Sequence, residues 1–156
     1  MRLYPPATHH PPPATWYNRA AMTTIALLQK STSRHRAFYL EALRDLEGIT
    51  AVALVDEEGG TVAEARRILG DKPLRTYESF QAMRAAEDPA LAIATFTSAE
   101  TPAALQPVLE SSIPVLVEKP ACVELDQFAR LVDLADQTRI WQERTRDWTF
   151  RRATSV

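Results

Sequence analysis

Apolar positions along this chain fall into short runs that alternate with stretches at helical spacing. TTIALL at 23–28 is a short apolar run of strand length. HRAFYLEALRDLEG at 35–48 sets Phe38, Leu40, Leu43 and Leu46 at helical spacing, and Gly48 suits a helix C-terminal cap. ITAVALVD at 49–56 is β-branched and apolar, a second strand, and TVAEARRILG at 61–70 is a helix closed again by glycine. YESFQAMRAAED at 77–88 predicts a further helix, with Pro89 just beyond it, and ALAIATF at 90–96 a strand. TPAALQPVLESS at 101–112 predicts a helix with Pro102 near its start and a kink or break at Pro107. PVLVE at 114–118 is the last strand, and VELDQFARLVDLADQ at 123–137 an amphipathic helix.

Strands that are continuous apolar runs, each followed by a helix, predict an α/β fold: a doubly wound parallel sheet, Rossmann-like, covered on both faces. Its crossovers are right-handed, and ligands bind at the carboxyl ends of the strands where the strand order reverses. VLVEKP at 115–120 ends one of these strands, so Glu118, Lys119 and Pro120 are expected on the rim of the binding crevice.

The 156 residues suffice for one domain with a real core. Residues 1–21 hold five of the eleven prolines and almost no aliphatic side chains, and are expected to be a disordered tail ahead of a domain at 22–137. That head lacks the apolar middle of a signal peptide, and no apolar run reaches the ~20 residues of a membrane helix. A net charge of −2 gives no bulk attraction to nucleic acid or membrane. The one cysteine, Cys122, excludes an internal disulfide and suits a reducing cytoplasm. Residues 138–156 carry five arginines against two acids, with Trp141, Trp148 and Phe150 between them, and read as a loosely packed tail.

From about 22 to 137 the chain resembles the nucleotide-binding half of the Gfo/Idh/MocA oxidoreductases. The pieces, in order, are AVALVDEEGGTVAEARRILG, then TYESFQAM, then IPVLVEKPACVELDQFARLVDLA with its Glu-Lys-Pro signature. The resemblance implies an NAD(P)-dependent oxidoreductase acting on sugars or polyols. It places Lys119 near the nicotinamide and the substrate hydroxyl as the catalytic candidate, and makes the Lys119–Pro120 bond a candidate cis peptide. Asp56, at the end of the second strand, could accept hydrogen bonds from the adenosine ribose hydroxyls. Glu57 and Glu58 follow it and would repel a 2′-phosphate, which favours NAD over NADP. Thr97, Glu118 and Pro120 complete the cofactor-binding positions on this rim.

The phosphate loop departs from that pattern. Where G-x-G-x-x-G should follow the first strand, the chain reads QKSTSR and has no glycine. The side chains of Gln29 and Ser31 are expected to fill space that glycines leave to the pyrophosphate, so binding is expected to be weakened. Ser31, Thr32, Ser33 and Arg34 still offer hydroxyl donors and positive charge at a helix N-terminus. Alternatively, Ser33 or Thr32 is only an N-cap on a helix that binds nothing. SAETPAAL lacks the histidine that the family often carries there, and Ser112 stands where the family usually has glycine. After residue 137 the family continues into a second domain with most substrate contacts, so a truncated oxidoreductase is expected, and a homodimer is expected to bury the face left exposed. Two other readings compete: a non-catalytic Rossmann-like scaffold, and a degenerate phosphorelay receiver domain. A receiver needs two acids after its first strand, where this chain has Gln29 and Lys30.

Overall fold

Every strand of the sheet is parallel, and their order is β3-β2-β1-β4-β5. In the computed structural model, which describes residues 23–138, the elements run β1 (Thr23–Leu28), α1 (Arg36–Asp45), β2 (Ile49–Val55), α2 (Val62–Leu69), β3 (Leu74–Tyr77), α3 (Phe80–Ala86), β4 (Leu91–Ala94), α4 (Thr101–Glu110), β5 (Val115–Val117) and α5 (Leu125–Gln137). This is the doubly wound α/β layer that the alternation predicts. The readings of the proline-rich head and of the basic, aromatic stretch after Thr138 lie outside the described residues.

Successive side chains on a strand point to opposite faces, so β1 and β2 each feed two cores. Ile25, Leu27, Val52 and Leu54 pack with Leu40 and Leu43 of α1 and with Ala65, Ile68 and Leu69 of α2. Ala26, Leu28, Ala53 and Val55 face the other way, onto Phe80 and Met83 of α3 and Val108 of α4. A third cluster, with Leu105, Leu109, Leu131 and Ala135, fastens α5 to α4.

Three local expectations are corrected. The stretch at 77–88 is not one helix. Tyr77 ends the edge strand β3, and α3 begins at Phe80, where Ser79 Oγ accepts from the Ala82 N–H at 3.1 Å. Pro107 does not break α4. It lacks the N–H that would have bonded to Ala103 O, yet the helix runs on through it to Glu110. Gly48 is not the cap of α1, which ends at Asp45 with Leu46 as its C-cap, whereas Gly70 closes α2 at φ +59 as expected.

The register brings the strand ends level, for Leu28 lies opposite both Val55 and Ala94, and Ala94 opposite Val117. The ladder runs one residue further on each strand: Gln29 N–H donates to Val55 O, Asp56 N–H to Tyr77 O, Thr95 N–H to Leu28 O and Glu118 N–H to Ala94 O. Four polar residues are thereby fixed along one edge, and the strand order reverses between β1 and β4 at its centre.

Candidate functional site

Two of the clefts among the described residues open on this edge. The larger, about 480 Å³, lies over the ends of β4 and β5 and gathers Arg34, His35, Thr97, Glu118, Lys119 and Pro120. The smaller, about 210 Å³, lies on the α3/α4 side and is walled by Leu28, Val55, Phe80 and Phe96, with Gln29, Lys30, Glu57 and Gln81 as polar residues. Phe96 lines both.

The loop between β1 and α1 turns without glycine. Ser33 N–H donates to Lys30 O at 3.0 Å, and Lys30 N–H donates back to Ser33 Oγ at 3.1 Å. This reciprocal pair closes a tight turn, and none of these residues has a positive φ. Ser33 is 1% exposed and its hydroxyl serves the turn, so neither it nor Thr32 caps α1. The N-cap residue is His35, and no side chain caps that helix end. Arg36 holds the loop down through Ser31 O and Ser33 O. The Ser31 and Thr32 hydroxyls point outward to Glu58 and Glu100, each at 3.4 Å. Lys30 lies between Glu57 and Glu100 at 3.9 and 3.8 Å. Hydrogen bonds from Thr97 hold the Glu100 carboxyl below its usual range.

Gln29 does not block the loop from above, as its side chain was expected to. It is buried beneath the loop, and its Nε2 donates to Thr61 Oγ1 at 2.8 Å. Thr61 in turn donates to Asp56 Oδ2 at 2.7 Å from its hydroxyl and at 2.7 Å from its N–H. Glu58 N–H reaches Asp56 Oδ1 at 3.3 Å. Asp56 thus anchors Thr61, the N-cap residue of α2, and is only 5% exposed.

At the other end of the edge, Glu118 turns away from Lys119 toward α1. Its Oε2 is 2.9 Å from both His35 Nδ1 and Tyr39 Oη, and its Oε1 accepts from the Lys119 N–H at 2.9 Å. Burial opposes ionisation of Glu118, but these hydrogen bonds outweigh it and hold the carboxyl below its ordinary value. Burial, with the Glu118 bond behind it, pushes the Tyr39 hydroxyl up to about 12. His35 is exposed, yet it is anchored by Glu118. The Lys119–Pro120 peptide is cis, as the resemblance implied. Lys119 and Arg34 are exposed, and among the described residues neither makes an ion pair or a side-chain hydrogen bond. Burial, then Glu124, pushes the Cys122 thiol up, against any role as a nucleophile.

The larger cleft therefore collects Arg34, Thr97, Glu118, Lys119 and Pro120. Ser31, Thr32, Ser33 and Asp56 line neither cleft. Asp56 and Lys119 share the carboxyl edge, but β1 and β4 stand between their strands, a separation of about 14 Å at ~4.8 Å per strand.

Residues 24–141 match the model of the GFO_IDH_MocA oxidoreductase family, its NAD-binding Rossmann fold. The chain belongs to this family. A comparison with curated proteins finds no match. Solved structures of similar fold include the WlbA dehydrogenase from Bordetella pertussis in complex with NADH and UDP-GlcNAcA (TM-score 0.64, 17% identity, 76% of this chain and 34% of that one). An oxidoreductase from Agrobacterium radiobacter in complex with NAD+, L-tartaric acid and magnesium is similar at TM-score 0.65 and 17% identity, over 77% of this chain and 34% of that one. Biliverdin reductase from Synechocystis in complex with biliverdin and NADP+ is similar at TM-score 0.60 and 16% identity, over 75% and 35%. The chain spans about a third of the length of these structures. Membership in the Gfo/Idh/MocA family removes the receiver-domain reading. No helix among the described residues is long and apolar enough to cross a membrane.

A dinucleotide fits the chemistry of this edge. Two cations without a side-chain partner among the described residues suit a pyrophosphate, and the aromatic walls of the smaller cleft suit a nucleoside.

Proposed function

We propose that this chain is the cofactor-binding domain of an NAD-dependent oxidoreductase whose reaction is hydride transfer at a hydroxyl-bearing carbon of a sugar or polyol. The observation that carries this reading is the larger cleft beside the reversal of strand order, where Arg34 and Lys119 present charge with no side-chain partner among the described residues. Bound NAD would supply the hydride acceptor. Arg34, at the uncapped start of α1, would hold the diphosphate together with that helix end. Lys119, its backbone fixed by Glu118, would carry a proton to or from the substrate oxygen. Glu57 and Glu58 favour NAD over NADP. Without glycines, Ser31 to Ser33 bring side chains where other members bring bare backbone, so affinity is expected to be modest. Leu116, Val123 and Leu125 are exposed on β5, the segment after it and the first position of α5, and support a homodimer through that face, to be checked by sedimentation.

Calorimetric titration of the protein with NAD and NADP tests the reading. Binding of NAD in the micromolar range, tighter than NADP and weakened by Lys119→Met, is expected. No heat at millimolar NAD would overturn it and favour a non-catalytic scaffold.

A further inference from the structure

The strand order reverses between β1 and β4, so a ligand at this edge lies between the loops that leave those two strands. One side chain ties the two loops together. Glu100 stands at the N-cap of α4, at the end of the loop after β4. Its Oε2 accepts from the Thr97 hydroxyl at 2.6 Å and from the Thr97 N–H at 3.3 Å, which would suffice to close that loop on itself. It also meets the glycine-free loop after β1. Thr32 Oγ1 donates to Glu100 Oε2 at 3.4 Å, and Lys30 Nζ is 3.8 Å from Glu100 Oε1. The Thr97 bonds hold the carboxyl below its usual range, so it is charged at neutral pH.

Lys30 lines the smaller cleft and Thr97 the larger, with Phe96 bounding both. Glu100, in contact with Lys30 and with Thr97, therefore stands at the crossing from one cleft to the other. Its side chain is 32% exposed, so a ligand can reach it. A dinucleotide with a nucleoside in the smaller cleft and its diphosphate toward Arg34 carries negative charge over this crossing. The loop groups that could meet that charge are engaged with acids of the chain: Lys30 with Glu57 and Glu100, Ser31 with Glu58, Thr32 with Glu100. Exposed contacts of this length are weak, so an incoming anion can displace them.

We propose that Glu100 is a specificity-determining residue that sets how much negative charge the crevice admits: it stands in for an anion on the loop after β1, and a ligand diphosphate must displace it from Lys30 and Thr32. This rests on the cofactor reading above. It gives that reading a second reason, besides the missing glycines, for a modest affinity, since a fixed repulsive charge selects against a ligand as surely as a missing contact does. With the diphosphate bound, Lys30 and Thr32 turn to it, and Glu100 keeps its Thr97 bonds alone.

The test is calorimetric titration of the full chain with NAD, comparing wild type with Glu100→Gln and Glu110→Gln. Glutamine at 100 keeps an acceptor oxygen for Thr97 and removes the charge. Glu110 ends the same helix, so its substitution makes the same change in net charge away from both clefts. Glu100→Gln is expected to bind NAD about tenfold more tightly than wild type, equivalent to about 1.4 kcal/mol, and Glu110→Gln to match wild type within about twofold. The carboxyl carbon signal of Glu100 in wild-type protein, followed by NMR, is expected to shift on addition of NAD, which needs no substitution. An affinity of Glu100→Gln no higher than that of wild type, an equal gain in Glu110→Gln, or a Glu100 carboxyl signal that ignores bound NAD would overturn the proposal and leave the cofactor reading standing. Failure of NAD to bind any of the three proteins would overturn both.

Discussion

Thr61→Val removes one hydroxyl from the centre of the Gln29–Thr61–Asp56 chain and keeps the side chain's shape. Thr61 is 1% exposed, so no water can replace what is lost. Gln29 Nε2 loses its acceptor, at about 1–3 kcal/mol for a buried unpaired donor. Asp56 loses one bond to its carboxylate, worth about 1.5–3 kcal/mol, but keeps the Thr61 N–H at 2.7 Å. These terms overlap because both groups can relax toward each other, so a net loss of about 2–4 kcal/mol is expected. Against a typical total stability of about 5–15 kcal/mol this is large. With a urea slope of about 1–3 kcal/mol/M, the midpoint should fall by roughly 1–2 M at unchanged slope, followed by circular dichroism. In a Gln29→Leu background the same substitution should cost about 1 kcal/mol less, because the amide it orphans is gone. A loss under about 0.5 kcal/mol, or strict additivity of the two substitutions, would refute the directed chain.

Three further outcomes are expected. Ser112 has φ +59, where a side chain costs about 1–2 kcal/mol. Ser112→Gly removes that strain and adds about 0.5–1 kcal/mol of unfolded-chain entropy, so a melting temperature a few degrees higher is expected, and a lower one would contradict the account. Glu118 has a folded pKa below its ordinary 4.5, so its stabilisation is present above that value and lost as the pH falls through the lowered one. Glu118→Gln should therefore narrow its stability gap to wild type in that acid range, and a gap independent of pH would exclude the His35 and Tyr39 bonds as its source. Arg34→Ala should weaken NAD binding about tenfold and flatten its dependence on salt; an unaltered salt slope would place the diphosphate elsewhere.

The sheet was legible in the sequence because β1, β2, β4 and β5 are apolar runs between helical stretches. β3 was not, because LRTY is a half-exposed edge strand with a charge in its middle and no apolar face of its own. Lys119, Pro120 and the cis bond between them could be read from a local signature. Glu118 with His35 and Tyr39 could not, since these residues are far apart in the chain and only the register of β5 against β4 brings them together. Gln29 is the sharpest case. A glutamine after a strand reads as an exposed loop residue, and its burial depends on Thr61, 32 positions later, offering an acceptor. Ser112 was marked as a departure from a family glycine, and its backbone angle gives the physical reason for that preference.

Phe96 is a party wall. One ring bounds both chambers on the carboxyl edge, so neither can be reshaped in isolation. Trimming it to enlarge the room beside Lys119 would also loosen the wall beside Phe80, so on the proposed reading any redesign of substrate preference here must be judged against the affinity for nucleotide.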